Sequence, residues 1–79
     1  STIIGHDVLI EDYVTVSSSC GVTGGTKLRE ACFLADHVAI SVGMEIGKHA
    51  YVGIGSVVIR DVKEDTRVFG NPARVFADK

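Results

Sequence analysis

Several residue types and patterns are scarce or absent in this chain, and each shortage excludes a class of protein. The 79 residues include no tryptophan and one proline, and aromatic residues make up 6%. No stretch of about 18 apolar residues is present, which argues against a membrane span, and no secretory signal peptide is visible. The sequence has no basic run and a net charge of −2, so nucleic acid and anionic membranes are poor candidate partners.

The two cysteines, Cys20 and Cys32, form neither a Cys-x-x-Cys pair nor a cysteine–histidine spacing that suits a metal. We therefore interpret both as small buried thiols. Free thiols persist in a reducing compartment, so the cytoplasm is the expected location.

Aliphatic side chains and glycine are abundant. Hydrophobic residues make up 46% of the chain, and nine glycines favour many turns over long helices. A compact domain of this length buries little of its surface and is marginally stable alone. The chain therefore needs an elongated repeat architecture, an oligomer, or both.

An aliphatic residue recurs at every sixth position, and this period is the strongest signal in the sequence. Such a period suits strands, whose side chains alternate between two faces, and does not suit a helix. Short strands that turn this often form a core only if successive coils stack. A β-sandwich is the runner-up, but it gives no reason for a strict period. The aliphatic positions are Ile4, Ile10, Val16, Val22, Leu28, Leu34, Ile40, Ile46, Val52 and Val58.

A second track of mostly small or β-branched residues lies four positions after each of these, from Val8 to Val62. Together the tracks resemble the hexapeptide repeat of left-handed β-helices over residues 3–62. The resemblance implies an all-β fold, a left-handed parallel β-helix of about three coils over residues 1–62, with a capping tail over residues 63–79. Three hexapeptides make one triangular coil, so the implied columns are Ile4 with Val22, Ile40 and Val58; Ile10 with Leu28 and Ile46; and Val16 with Leu34 and Val52.

The dipeptide His6-Asp7 is the first candidate for chemistry. An imidazole titrates near neutral pH and can act as a general base toward a hydroxyl or an amine. A solvated turn is the alternative interpretation. The stretch resembles the His–acid site of sugar O- and N-acetyltransferases, which include sialic acid O-acetyltransferases and bacterial sugar-nucleotide N-acetyltransferases. That resemblance implies that His6 is the catalytic base and Asp7 its partner.

Gly24 follows His6 by one predicted coil and is expected on the same edge. A glycine lets its N–H approach a ligand closely, and an N–H aimed at a thioester carbonyl would stabilise the oxyanion. Similar enzymes have a glycine here for that purpose. The alternative is that Gly24-Gly25 only turns the chain. Glu11 and Arg29 depart from the repeat, because they occupy positions that prefer a small residue, and we expect them to point outward or to bend the corner.

The tail contains Gly-Asn-Pro-Ala-Arg at residues 70–74, the most specific motif of the chain. It is similar to the tail of acetyl-CoA-dependent hexapeptide transferases, where it lies beside an intersubunit groove for the CoA arm. Gly53 and Gly55 would leave room for pantetheine, and Arg60 and Arg74 would meet phosphates. Capping of the open end of the helix is the alternative role. The implied cofactor-binding residues are Asp36, Gly53, Ile54, Gly55, Arg60, Asn71, Pro72 and Arg74.

The three histidines raise the possibility of a zinc site like that of γ-type carbonic anhydrases. Such a site needs two histidines close in sequence, whereas His6, His37 and His49 are far apart and fall on three different sides of the implied helix. We therefore expect no metal. His37 and His49 are expected at exposed corners.

The resemblance as a whole implies an acyltransferase that moves an acetyl group from acetyl-CoA to a sugar hydroxyl or amino group, at the interface of a homotrimer. In such enzymes an N-terminal domain that holds the sugar nucleotide precedes the helix, and this sequence has no counterpart of it. The alternative of another class is a non-catalytic β-helix that serves as an oligomerisation or binding scaffold.

Overall fold

The structure, a computed structural model, describes residues 2–78. The outer ends of the predicted domain ranges, Ser1 and Lys79, lie outside these residues. The described part of the chain contains no helix, and so no helical segment that could cross a membrane. Its strands are β1 (Ile3–Ile4), β2 (Leu9–Ile10), β3 (Thr15–Val16), β4 (Gly21–Val22), β5 (Lys27–Leu28), β6 (Phe33–Leu34), β7 (Ala39–Ile40), β8 (Glu45–Ile46), β9 (Tyr51–Val52), β10 (Val57–Val58), β11 (Thr66–Phe69) and β12 (Arg74–Asp78).

Parallel strands form the three sides of a solenoid. Side A contains β1, β4, β7 and β10; side B contains β2, β5 and β8; and side C contains β3, β6, β9 and β11. The registers pair the residues that were predicted to stack, such as Ile4 with Val22. All three predicted aliphatic columns are confirmed.

The turns between strands repeat as regularly as the strands do. From Asp7 to Gly55, each turn holds one residue in the left-handed region, with φ between 57° and 77°. From Gly25 onward, the N–H of that residue donates to a carbonyl of the previous coil, as from Gly25 to His6 at 3.0 Å and from Gly43 to Gly24 at 3.0 Å. Because these turn groups pair between coils, each corner of the solenoid has its own hydrogen-bond ladder.

The columns fill the interior. Val22 is 1% exposed and Leu28 0%, whereas Ile4 and Ile10 in the first coil are 43% and 48% exposed. Each fully buried aliphatic side chain contributes about 1.5–3 kcal/mol. Cys20 and Cys32 are buried free thiols within this core, as predicted.

The solenoid has about four coils, not the three that the sequence predicted. Val62 bridges to Ile46 and β11 pairs with β9, so two further sides follow β10. Val62 therefore occupies a column position and not the expected track of small residues. The corner before Val62 is two residues shorter than the other corners, so the period of six breaks at this point. A Cβ on Gly47 would collide with the backbone nitrogen of Glu64, so this tighter coil requires glycine beneath it.

The tail forms a hairpin. β12 pairs antiparallel with β11, and the connecting loop, which contains the cis Asn71-Pro72 peptide, lies along β10. Val57 N–H donates to the Gly70 carbonyl at 2.9 Å, and Ala73 N–H donates to the Val57 carbonyl at 2.8 Å. Parallel pairing thus runs past the predicted boundary at residue 62 as far as β11, and the hairpin covers sides A and C at this end.

Candidate functional site

His6 and Gly24 lie in successive coils at the corner between sides A and B, here called the A–B corner. A Cβ on Gly24 would lie 3.1 Å from the His6 carbonyl oxygen, and Gly25 N–H donates to that oxygen at 3.0 Å. A Cβ on Gly5 would lie 2.7 Å from the Gly24 nitrogen. The two coils therefore touch through backbone at this point, and the His6 side chain stands exposed beside them.

Asp7 is the left-handed residue of the same turn, with φ 57°, and its side chain is also exposed. Within residues 2–78, no hydrogen bond or ion pair joins its carboxylate to the His6 imidazole. The structure of the single chain therefore does not join the predicted base and its predicted partner by a hydrogen bond or an ion pair.

The Gly24 N–H has no acceptor within the described chain. At the equivalent position of two other corners, the backbone N–H donates to a side-chain carboxylate. Glu30 N–H donates to Glu11 Oε1 at 2.9 Å, and Ser18 N–H donates to Asp36 Oδ1 at 3.2 Å. The N–H at this turn position can thus donate to a carboxylate oxygen that lies outside the turn. At Gly24 this donor has no acceptor among the described residues. Sequence reasoning named Gly24 but missed this general property of the turn.

A shallow groove of about 420 Å³ runs from His6 across side A. Its lining is almost wholly apolar and carries no charged side chain apart from His6 when protonated. Gly21 forms part of its floor, and a Cβ there would meet nothing within 4 Å. The groove is wide enough at this point for a small apolar group beside the imidazole.

The predicted cofactor residues fall into two groups. Asp36, Gly53, Ile54 and Gly55 lie in the turns between sides C and A, where Gly55 N–H donates to the Asp36 carbonyl at 2.9 Å. A Cβ on Gly53 would lie 2.7 Å from Cδ1 of Phe69. The space beside Gly53 is therefore filled by the hairpin of the same chain and not left for pantetheine, whereas a Cβ on Gly55 would meet nothing.

The second group gathers at the end of the solenoid. Arg60, Pro72 and Arg74 line a small cleft of about 50 Å³, and the two arginines also line a larger cavity of about 550 Å³. Asn71 is an exposed residue of the same loop. The hairpin is what brings these residues together, since Arg60 precedes β11 and the others follow it.

Arg60 also shares the A–B corner with His6 and Gly24. The registers of Ile4, Val22 and Ile40 put His6, Gly24 and Val42 at equivalent positions of successive coils, and Arg60 follows Val58 in the shortened corner of the last coil. Three steps of about 4.8 Å separate His6 from Arg60, or about 14 Å along one edge. The catalytic candidates and one phosphate-binding candidate thus lie in line.

The other histidines lie at the remaining corners, exposed as predicted. His37 is in the turn between β6 and β7, and His49 is in the turn between β8 and β9. His49 Nδ1 lies 3.6 Å from Asp65 Oδ1, an exposed pair. In the described residues no three potential metal ligands cluster.

Side B carries a ladder of charges that the sequence did not predict. Arg29 donates to Glu11 Oε2 at 2.9 Å and to Glu45 Oε2 at 2.8 Å. Hydrogen bonding to Arg29 lowers the pKa of Glu11, and the Glu45 and Glu11 bonds raise the pKa of Arg29. The Glu11 and Arg29 side chains point outward, which is one of the two outcomes expected for large side chains at small-residue positions.

The fold of this chain is similar to that of several solved structures. No family model matches the sequence. A hexapeptide transferase family protein from Anaplasma phagocytophilum superposes with a TM-score of 0.80 at 19% identity, covering 96% of this chain and 54% of that one. The fold is thus the predicted left-handed parallel β-helix.

A serine acetyltransferase of Synechococcus elongatus is 33% identical over an alignment of 82 positions, which covers 94% of this chain and 34% of that protein. The chain is thus similar, over almost its whole length, to part of a known acyltransferase. An acyl-[acyl-carrier-protein]–UDP-N-acetylglucosamine O-acyltransferase of Pseudomonas paraeruginosa is 30% identical over 70 residues, or 89% of this chain and 27% of that enzyme. The chain spans only about a quarter to a third of the length of these curated relatives.

Among solved structures, a perosamine N-acetyltransferase from Caulobacter crescentus, in complex with CoA and GDP-perosamine, has a TM-score of 0.71 and 27% identity. The match covers 98% of this chain and 42% of that one. The relatives thus differ in acceptor and in acyl donor while sharing the same repeat.

Proposed function

We propose that this chain is the β-helical part of an acetyl-CoA-dependent acetyltransferase that acts on a hydroxyl or amino group of a sugar. The acceptor is a sugar nucleotide or a sialic acid. The observation that carries the proposal is the alignment of His6, the open Gly24 N–H and Arg60 along one corner, with Arg74 beside Arg60. Relatives that bind CoA and a nucleotide sugar support it.

In this mechanism His6 removes the proton from the acceptor while its oxygen or nitrogen attacks the thioester carbonyl. The Gly24 N–H donates to the oxyanion of the tetrahedral intermediate, as the equivalent N–H groups of Ser18 and Glu30 donate to carboxylate oxygens. The carbon–sulfur bond then breaks, and the proton on His6 passes to the departing thiolate. The acetyl methyl lies in the apolar groove on side A, and the reaction uses no metal.

Asp7 does not contact His6 in the single chain, so we propose that it orients the imidazole only in the assembled site. A homotrimer supplies that assembly. His6, Gly24 and Arg60 lie on one edge of side A, and Asp36, Ile54 and Gly55 lie on the other. A neighbouring subunit that presents its second edge to the first edge would complete a groove for CoA. Cys20 and Cys32 as free thiols fit a cytoplasmic enzyme.

The test compares the chain with a His6→Ala variant in acetyl-CoA titrations, together with sedimentation to measure mass. We expect both proteins to be trimers that bind acetyl-CoA equally, because His6 acts only in chemistry. Turnover with amino-sugar nucleotides, measured in the whole protein, is expected to fall by about 10²–10⁴ in the variant. A folded trimer that does not bind acetyl-CoA at millimolar concentration would favour the scaffold function.

A further inference from the structure

The contact between coils beside the Gly24 N–H is very close. Gly5 lies in the preceding coil, and its own N–H donates to the Val22 carbonyl at 2.7 Å. A Cβ on Gly5 would lie 2.7 Å from the Gly24 nitrogen, 3.0 Å from the Thr23 carbonyl carbon and 3.2 Å from the Gly24 Cα. Real Cβ atoms essentially never come within 3.0 Å of such atoms. The two backbones therefore approach this closely only because residue 5 has no side chain.

The three distances show from which side a Cβ would press on the Thr23–Gly24 peptide. An atom 2.7 Å from the Gly24 nitrogen and in line with its N–H would lie about 3.6 Å from both carbons bonded to that nitrogen. Those carbons are closer, at 3.0 and 3.2 Å, so the Cβ would lie over the face of the peptide group. A Cβ at residue 5 would thus push the whole peptide and change the direction of its N–H.

The repeat itself does not require glycine at this position, which directly follows an inward aliphatic residue. Side chains occupy the same position in six other turns, at Glu11, Ser17, Thr23, Arg29, Ala35 and Ser41. A Cβ would collide with the backbone of the next coil at Gly5 and at Gly47. The close approach is therefore a local feature of these two corners and not a general property of the solenoid.

Glu11 shows what a longer side chain does at this repeat position. Its Oε1 accepts the Glu30 N–H at 2.9 Å, and Glu30 is the counterpart of Gly24 one turn later. Glu11 thus stands in the same relation to Glu30 as Gly5 does to Gly24. A carboxylate at residue 5 would reach the Gly24 N–H in the same way, whereas glycine leaves that donor without an acceptor among the described residues.

The Gly24 N–H needs support from its neighbours, because the dipeptide Gly24-Gly25 has little conformational restraint of its own. A donor stabilises an oxyanion well only if its direction is fixed before the reaction. Thr23 Oγ1 donates to a carbonyl of the following coil at 2.8 Å, and Gly25 N–H donates to the His6 carbonyl at 3.0 Å. The backbone of Gly5 adds a close contact against one face of the peptide between these two anchors.

We infer that Gly5 is a positioning residue of the proposed reaction, which holds the Gly24 N–H in its direction toward the oxyanion and leaves it free to bind. The inference rests on the proposed function. An interaction made only with the oxyanion changes kcat and leaves ground-state binding of the substrates unchanged. A Cβ at residue 5 must widen its contact with the Gly24 nitrogen by at least 0.3 Å, from 2.7 to 3.0 Å. Because misplacement by 1 Å costs about 10²-fold, we expect Gly5→Ala to lower kcat about tenfold with little change in KM.

The activity experiment measures turnover of amino-sugar nucleotides in the whole protein for Gly5→Ala, Gly5→Glu and a matched control, Gly47→Ala. Gly47 has the same repeat position, and its Cβ would collide with the Glu64 nitrogen, but it lies at the corner between sides B and C. We expect Gly47→Ala to lower stability and leave kcat unchanged. Gly5→Glu should lower kcat by about 10²–10³, the cost of losing an oxyanion donor, because its carboxylate occupies the Gly24 N–H.

A second measurement follows the Gly24 amide itself in the 79-residue chain, by NMR and hydrogen exchange. In wild type we expect this amide to exchange rapidly with solvent, since it has no acceptor among the described residues. In Gly5→Glu the exchange should slow about tenfold, because the amide gains one hydrogen bond. Gly5→Ala should shift the Gly24 resonance without slowing its exchange. The remaining amide signals show that each variant is folded.

An unchanged kcat in Gly5→Ala would overturn the inference, and so would an equal loss of kcat in Gly47→Ala, since Gly5 would then matter only for packing. A Gly24 amide that exchanges as fast in Gly5→Glu as in wild type would also contradict it. If the folded wild-type protein transfers no acyl group, the proposed function fails instead. The Gly24 amide in Gly5→Glu still decides in that case whether residue 5 controls the donor.

Discussion

A buried hydroxyl in the core provides the sharpest test of the structure. Thr26 is 0% exposed, and its Oγ1 has no hydrogen-bond partner among the described residues. Val8 and Met44 occupy the same track one coil before and after it, and both pack against the core. Thr26 is thus a polar residue in an apolar column, and we predict that Thr26→Val stabilises the protein.

The magnitude follows from the cost of an unsatisfied hydroxyl. Burying such a group without a hydrogen bond costs about 1–3 kcal/mol. Valine has nearly the same shape and replaces the hydroxyl with a methyl group that the column can accommodate. We therefore expect a gain of about 1–2 kcal/mol in the free energy of unfolding. For a domain of this size each kcal/mol corresponds to a rise of about 4–8 °C in Tm.

Ser56→Ala is the matched control with the opposite expected sign. Ser56 is equally buried, but its Oγ donates to the Gly53 carbonyl at 2.7 Å and accepts the Gly70 N–H at 3.1 Å. Removing it leaves the Gly70 N–H unpaired, while the Gly53 carbonyl keeps only the Ser56 N–H at 3.2 Å, and this should cost about 1–2 kcal/mol. Urea unfolding at one protein concentration measures both variants, since subunit association contributes to apparent stability. A Thr26→Val protein less stable than wild type would refute the assignment of an unpaired hydroxyl.

Three further predictions concern backbone contact, pH and thiol reactivity. Gly47→Ala should destabilise the chain by more than about 2 kcal/mol, because its Cβ collides with the shortened coil, while Gly21→Ala in open space should be neutral or slightly stabilising; urea unfolding distinguishes them. Arg29 holds the pKa of Glu11 below its ordinary 4.5, so the stability from this pair is present above about pH 4.5 and is lost as pH falls through the lowered pKa. Arg29→Met should remove that loss from unfolding measured between about pH 6 and pH 3; an unchanged pH profile would contradict the pairing. Burial raises the pKa of Cys32 to about 11, so iodoacetamide should label it only after denaturation, as mass spectrometry can test.

The candidate site could be predicted only in part. The spacing of His6 and Gly24 predicted that they lie in adjacent coils, and Arg60 and Arg74 were named for their charge and motif. Sequence could not show that Phe69 fills the space beside Gly53, since that contact depends on how the hairpin folds back.

The sequence alone determined the aliphatic columns, the sides of the helix and the burial of both cysteines. The period of six placed the aliphatic residues on one inward track, and the resemblance to hexapeptide-repeat β-helices implied three hexapeptides per coil, so that residues 18 apart stack. Only the tertiary structure decided where the period breaks. The corner after Val58 is shortened, so Val62 and β11 add the fourth coil, and the hairpin then brings Arg74 beside Arg60. Such contacts depend on backbone geometry between distant segments, which no repeat encodes.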